Sequence, residues 1–123
     1  MKFTTLVQNI FYTDANVGLQ LFVDCLGFSF GYNQLHDAGH PFCVLEKDGL
    51  KLHLIQSEEY ALKDRPELRI ETNDIEAVFN AIQTTHPALL HPNLNRIKLQ
   101  PWKAKEFALL DASNVCVIIQ QWQ

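Results

Sequence analysis

Few side chains in this sequence are able to do chemistry, and their spacing argues against most of it. Cys25, Cys43 and Cys116 are odd in number and sit inside apolar runs, with no Cys-x-x-Cys pair and no Cys/His cluster at zinc spacing. Thiols in that setting read as buried, reduced and inert. Ser57 and Ser113 lack the Gly-x-Ser-x-Gly context of an activated serine, and no glycine-rich loop is present to cradle a phosphate. His36, His40, His86 and His91 fall in loop-like segments, where surface residence is the ordinary state. His53 lies in a strand-like run, where a lone histidine more often lines a cavity or makes a hydrogen bond than ligates a metal. Glu67, Arg69 and Glu71 alternate along one strand face. They are either the solvent face of an edge strand or a set that orients a polar or cationic ligand. Trp102, between Pro101 and Lys103 in a loop, either packs or offers an indole to stack on a flat heteroaromatic and attract a cation. Phe30, Tyr32 and Phe42 are candidates for the opposing wall.

The elements that position these residues belong to an ordinary globular chain. Its 123 residues are 47% hydrophobic and 20% charged, enough for one domain with its own core. The net charge of −4 leaves no basic stripe to displace phosphate counterions, which argues against nucleic-acid binding. No basic N-terminal region precedes an apolar run, and no apolar stretch approaches the roughly 20 residues of a membrane helix. A cytoplasmic protein with no membrane partner is expected.

Thr4 to Tyr12 is β-rich, and Asp14 caps a helical stretch over 15–27 with Val17, Leu21, Phe22 and Cys25 on one stripe and Gly27 as its stop. Phe28 to Leu35 and Phe42 to Glu46 read as strands, the second turning through Lys47-Asp48-Gly49 into Leu50 to Gln56. Ser57 to Pro66 is a charged linker without apolar periodicity. The order then recurs. Leu68 to Thr72 is a strand, Asn73 or Asp74 caps a helix carrying Ile75, Val78, Phe79 and Ile82, and a loop spans His86 to Asn95. Strands follow at Arg96 to Gln100, Glu106 to Leu110 and Val115 to Gln120. Each half is therefore β-α-β-β-β, in modules of about 1–57 and 66–123. The strand-to-helix junctions Thr13-Asp14 and Asn73-Asp74 are 60 positions apart, and the two hairpins align without a gap at 65, Phe42 on Phe107 and His53 on Ile118.

Two such modules, together with YTDANVGLQLFVDCLGF at the first junction, resemble the vicinal oxygen chelate superfamily of glyoxalase I, extradiol dioxygenases and bleomycin resistance proteins. GHPFCVLEKDGLKLHL and, more specifically, PWKAKEFALLDASNVCVIIQ resemble the bleomycin resistance branch, and the resemblance covers essentially the whole chain. One departure is the family's Asp-Pro-Asp-Gly-Asn turn, here Asp111-Ala112-Ser113-Asn114-Val115. Asn114 stands where glycine takes a positive φ, a conformation asparagine tolerates. The resemblance implies an α+β fold: a single domain, 1–123, of two βαβββ repeats forming a curved, cup-shaped mixed sheet with helices outside.

Metal-dependent members of the superfamily place four ligands on equivalent strands, positions that fall here on Val7, His53, Glu67 and Ile118. Val7 and Ile118 offer no lone pair, and His53 with Glu67 falls short of the three protein ligands a catalytic metal keeps. They would be ligands only in the alternative of a metal-dependent glyoxalase- or dioxygenase-type enzyme. Strand alternation with Ile10 and Tyr12 on the helix turns Val7, Asn9 and Phe11 to a cavity. It also points Lys51, His53, Ile55, Glu67, Arg69, Glu71, Cys116, Ile118 and Gln120 inward. In the bleomycin resistance branch the Trp matching Trp102 borders the ligand cleft. The resemblance thus implies a metal-free, cofactor-free, non-catalytic protein that sequesters a planar or cationic small molecule. Its expected ligand-binding residues are Trp102, Phe30, Tyr32, Phe42, His53, Glu67, Arg69 and Ile118. A homodimer with an exchanged N-terminal strand is also implied.

Overall fold

A computed structural model describes residues 1–63 and 66–123, which divide into two compact units, 1–64 and 65–123. In the first, β1 (Gln8–Tyr12) leads into α1 (Ala15–Leu19), then β2 (Ser29–Asn33), β3 (Phe42–Lys47), β4 (Leu50–Gln56) and α2 (Glu58–Ala61). The second holds β5 (Glu67–Glu71), α3 (Ile75–Thr85), β6 (Lys98–Leu99), β7 (Ala104–Leu110) and β8 (Cys116–Trp122). Both units are therefore β-α-β-β-β, and the α+β class is as the sequence implied.

Strand orders are β1-β4-β3-β2 and β5-β8-β7-β6. In each unit the opening strand runs parallel to the last strand of the hairpin, and the other pairs are antiparallel. Alternation gives every strand a helix-facing side. In unit 1 that side carries Ile10, Tyr12, Cys43, Leu45 and Leu54, all fully buried. Gly18 of α1 lies against it so closely that a Cβ there would stand 2.5 Å from Tyr12 and 2.6 Å from Leu54. In unit 2 the same side carries Phe107, Leu109, Val117 and Ile119 beneath α3, with Phe79 edge-on to Phe107 at 5.1 Å.

Several boundaries differ from the sequence reading, each for a local reason. β1 begins at Gln8 rather than Thr4, because β4 begins at Leu50 and its turn leaves β1 little more to pair with. The helical stretch is α-helical to Leu19 and then widens into a π-helical turn over Gln20–Cys25, with Leu26 N–H bonding Leu21 O at 3.0 Å. That widening turns adjacent Leu21 and Phe22 inward together, while Val17 and Cys25 are only half-buried. The stretch ends, as expected, at Gly27 with φ 79°. Ser57–Pro66 is not featureless: Ser57 caps α2, accepting from Tyr60 N–H at 3.4 Å. Asp64 and Arg65 of that linker lie outside the described residues. β6 is two residues long because the preceding loop takes over the edge of β7: His91 N–H bonds Ala108 O and Leu94 O accepts from Ala108 N–H, both at 2.9 Å.

The gapless hairpin alignment also requires correction. In unit 1 the β3–β4 loop is two residues, Asp48 and Gly49, at φ 52° and 81°, the geometry of a type I′ turn. In unit 2 the loop is Ala112-Ser113-Asn114, closed by Asp111 N–H to Val115 O at 3.1 Å. Asn114 takes φ 64°, as its replacement of glycine required. Asp111 Oδ1 accepts from Ser113 N–H at 2.9 Å and Val115 N–H at 3.0 Å. One extra loop residue shifts the register by one, and a one-residue shift exchanges sheet faces. Phe42 therefore corresponds to Glu106 rather than to Phe107, while His53 still corresponds to Ile118.

Both units fasten the helix to the sheet in the same way. Gln56, ending β4, accepts the Ala15 N–H at 2.9 Å, and Gln121 of β8 accepts the Ile75 N–H at 2.8 Å. These are first-turn N–H groups that have no partner inside a helix. Asp14 and Asp74 satisfy others, through Asn16 N–H at 2.9 Å and Ala77 N–H at 3.2 Å. Gln56→Ala and Gln121→Ala are each expected to lower stability by about 1 kcal/mol. Urea denaturation would read this as a lowered midpoint at unchanged slope; an unmoved midpoint would refute the capping role.

Candidate functional site

The face of unit 1 turned away from α1 carries aromatic rings. Phe42, Val44, His53 and Ile55 share it, because Phe42 pairs with Ile55 and Val44 with His53. Phe11 joins them through its register with Ile55 on β1. A bulge in β2 sends Phe30 and Tyr32 to opposite sides: Phe30 pairs with Leu45 of the helix side, Tyr32 with Val44. Gly31 is the extra residue, and a Cβ there would sit 2.7 Å from the Glu46 carboxyl carbon. The outcome is a row in which the Tyr32 and Phe42 rings lie 5.6 Å apart and Phe42 and His53 6.1 Å apart. Across from it, α2 presents Tyr60 to Phe11 at 5.2 Å, with Lys63 Nζ 5.7 Å from the Tyr60 ring centre. Phe11, Phe42, His53, Ile55 and Tyr60, with Pro41 and Gln56, line an open pocket of about 580 Å³; Tyr32 flanks Phe42 outside it.

Tyr60 and Phe11 were not among the residues singled out as ligand-binding. The sequence signal for Tyr60 was Ser57 followed by Glu58 and Glu59, a helix start with acidic residues in its first turn. Composition hid it, since a four-residue helix is too short to show periodicity.

In unit 2, Arg69 pairs across to Ile118 and Glu67 to Cys116. Ile118 is 7% exposed, and Ala108 beside it is buried too. Arg69 meets Glu67 at 3.3 Å, an exposed ion pair of small energetic weight. Glu71 accepts from Trp122 Nε1 at 3.1 Å. Trp102 sits in the β6–β7 turn, half-exposed, and its Nε1 donates to Glu106 Oε2 at 3.0 Å. Glu106 is buried, and the same oxygen accepts from Gln120 Nε2 and lies 3.9 Å from Arg69 Nε. Sequence reasoning missed Glu106 because the gapless alignment set it outside the hairpin's inward positions; counting three residues in the turn would have placed it beside Gln120.

Of the four positions that the resemblance would assign to metal ligands, Val7 precedes β1, His53 lies beside Asn9, Glu67 beside Cys116 and Ile118 beside Arg69. Among the described residues, no three of His, Cys, Asp or Glu come together in a way that could hold a metal ion. No helix among them is long and apolar enough to cross a membrane.

The fold is shared with bleomycin-binding and bleomycin resistance proteins. A bleomycin-binding protein complexed with bleomycin superposes with TM-score 0.75 at 18% identity, over 98% of this chain and 100% of that one. The bleomycin-binding protein of Streptomyces verticillus complexed with copper(II)-bleomycin gives 0.73 at 21% identity, covering 100% and 99%. TioX from Micromonospora sp. ML1 gives 0.76 at 14% identity, covering 98% and 99%. No protein-family model matches the chain, and no curated protein sequence matches it.

The thiols stand apart from these sites in reactivity. Burial raises Cys25 and Cys43 from an ordinary value of 9.0 to about 11. Cys116 is raised by burial and then by the Glu67 charge, with Arg69 opposing. Only the thiolate attacks an electrophile, and each unit of pKa removes a factor of ten of it. At pH 8, iodoacetamide is expected to alkylate Cys25 and Cys43 in the folded protein at least about 100-fold more slowly than in urea. Labelling at the unfolded rate, read by mass spectrometry, would show that burial does not protect them.

Proposed function

We propose that this chain is a bleomycin-resistance-like binding protein that sequesters a planar, cationic small molecule and releases it unchanged. The observation that carries the reading is the pocket of unit 1, whose walls are Phe11, Phe42, Tyr60 and the His53 ring. Such walls take up a flat heteroaromatic by stacking, and their π faces favour positive charge. The chain's net charge of −4 favours the same ligand over long range. Two structures of the same fold carry bleomycin, one of them as its copper complex. Tyr32, Phe42 and His53 are the proposed contacts in unit 1, and Trp102, Glu67 and Arg69 those in unit 2. Ile118 is too buried to serve as more than a backing wall, and Phe30 faces the side of β2 away from the pocket.

The proposed assembly is a homodimer with exchanged N-terminal segments. Its support is the stretch ahead of β1, where Phe3 and Leu6 are 82% and 90% exposed. Apolar side chains on an extended segment gain from pairing with a second copy. Three free thiols favour the cytoplasm.

Titration with bleomycin, copper(II)-bleomycin and a panel of planar cations, followed by intrinsic fluorescence, tests the reading. Saturable binding at micromolar concentration is expected, with the compound recovered intact by mass spectrometry. Phe42→Ala is expected to weaken it about tenfold. Binding by none of the compounds, or recovery of an altered one, would overturn sequestration. Light scattering should report a dimer, and deletion of residues 1–6 a monomer.

A further inference from the structure

Buried carboxylates that neighbour a half-exposed indole are an unusual expense for a fold, and Glu106 has no part in the core of unit 2. It is 2% exposed, on the sheet side opposite Phe107 and α3. Its Oε2 accepts from Trp102 Nε1 at 3.0 Å and from Gln120 Nε2, and faces Arg69 Nε at 3.9 Å. Lys98, the cross-strand neighbour on β6, is on the same side. Such an arrangement is costly to disturb, since removing the acceptor leaves the buried Gln120 amide unsatisfied.

The backbone beneath Trp102 is fixed as tightly. Gln100 O accepts from Lys103 N–H and Ala104 O from Gln100 N–H, both at 2.9 Å, closing a turn with Pro101 and Trp102 at its centre. Lys103 closes it at φ 70°, a left-handed conformation that a non-glycine residue seldom adopts. Its carbonyl accepts from Gln123 N–H at 3.1 Å. The indole is thus held at its ring nitrogen and its main chain at the turn, with half the side chain open to solvent.

We propose that Glu106 is a positioning residue: through the Trp102 N–H it sets the plane of the indole as a preorganised stacking surface for ligand. The inference rests on the sequestration reading for the ligand, but not for the geometry. A side chain already held in its bound orientation loses less freedom on binding, and affinity gains by that amount.

The first measurement uses the unmodified protein. In nitrogen-15 NMR spectra, the Trp102 indole N–H should exchange with solvent at least about tenfold more slowly than that of Trp122, whose partner Glu71 is exposed. Equal exchange rates would overturn the proposal whatever any variant does. In a Trp122→Phe background, Glu106→Leu should raise acrylamide quenching of Trp102 toward that of a fully exposed indole, with far-ultraviolet dichroism unchanged. Glu106→Gln, which keeps one acceptor oxygen, should return most of the protection. A folded Glu106→Leu protein with unaltered quenching would refute the positioning role. With bleomycin as probe, Glu106→Leu should weaken binding roughly tenfold and Glu106→Gln much less. If neither bleomycin nor any other compound of the panel binds the parent protein, the sequestration reading fails, while exchange and quenching still decide the role of Glu106.

Discussion

The parallel pairing of each opening strand with the last strand of its hairpin is the constraint on which both units depend. A parallel neighbour cannot be reached through a tight turn, so the chain must leave β1 or β5, cross over as a helix and return through two more strands. The crossover commits one sheet face to the helix. The glutamine at the end of the returning strand then takes the helix's first N–H, so that strand pairing and helix docking reinforce one another. The strands can meet a ligand only with their other face.

What occupies that face was decided by loops rather than by strands. Unit 1 turns in two residues and sets Phe42 there; unit 2 turns in three and sets Glu106 at the corresponding place. The bulge at Gly31 works in the same way, moving Tyr32 next to Phe42 and leaving Phe30 behind. A single inserted residue reverses which side chains a strand presents, at no cost to the hydrogen-bonded ladder beyond the insertion. One unit in consequence offers aromatic walls, and the other a carboxylate bound to an indole.

This division explains what was legible in the sequence. The caps of α1 and α3, the Asp48-Gly49 turn, the positive φ at Asn114 and the module order depend on residue types a few positions apart, and these were readable. The bulge at Gly31 and the extra residue at Ser113 depend on how strands compete for register, and the π-helical turn after Leu19 on how the helix packs its apolar face, neither of which local chemistry encodes. The candidate site inherited those errors. Trp102, Phe42, His53 and Arg69 were visible as residue types, whereas Glu106 and Tyr60 became visible only once register and the short α2 were in place.

α2 also gives the unit 1 pocket its mechanical character. A four-residue helix is far below the length that stands alone in water. It is held by the Ser57 cap, by Ser57 N–H to Tyr12 O at 2.9 Å and by the contact of Tyr60 with Phe11. The wall bearing Tyr60 is consequently the part of the pocket with the least local stability, against a sheet face fixed by two ladders. A flat ligand stacked between Tyr60 and Phe42 would add contacts to the weaker wall, and binding to the docked helix shifts the population toward that state. A rigid sheet supplies the orientation and a lightly held helix the adaptable wall, which suits the proposed binding of a molecule without altering it.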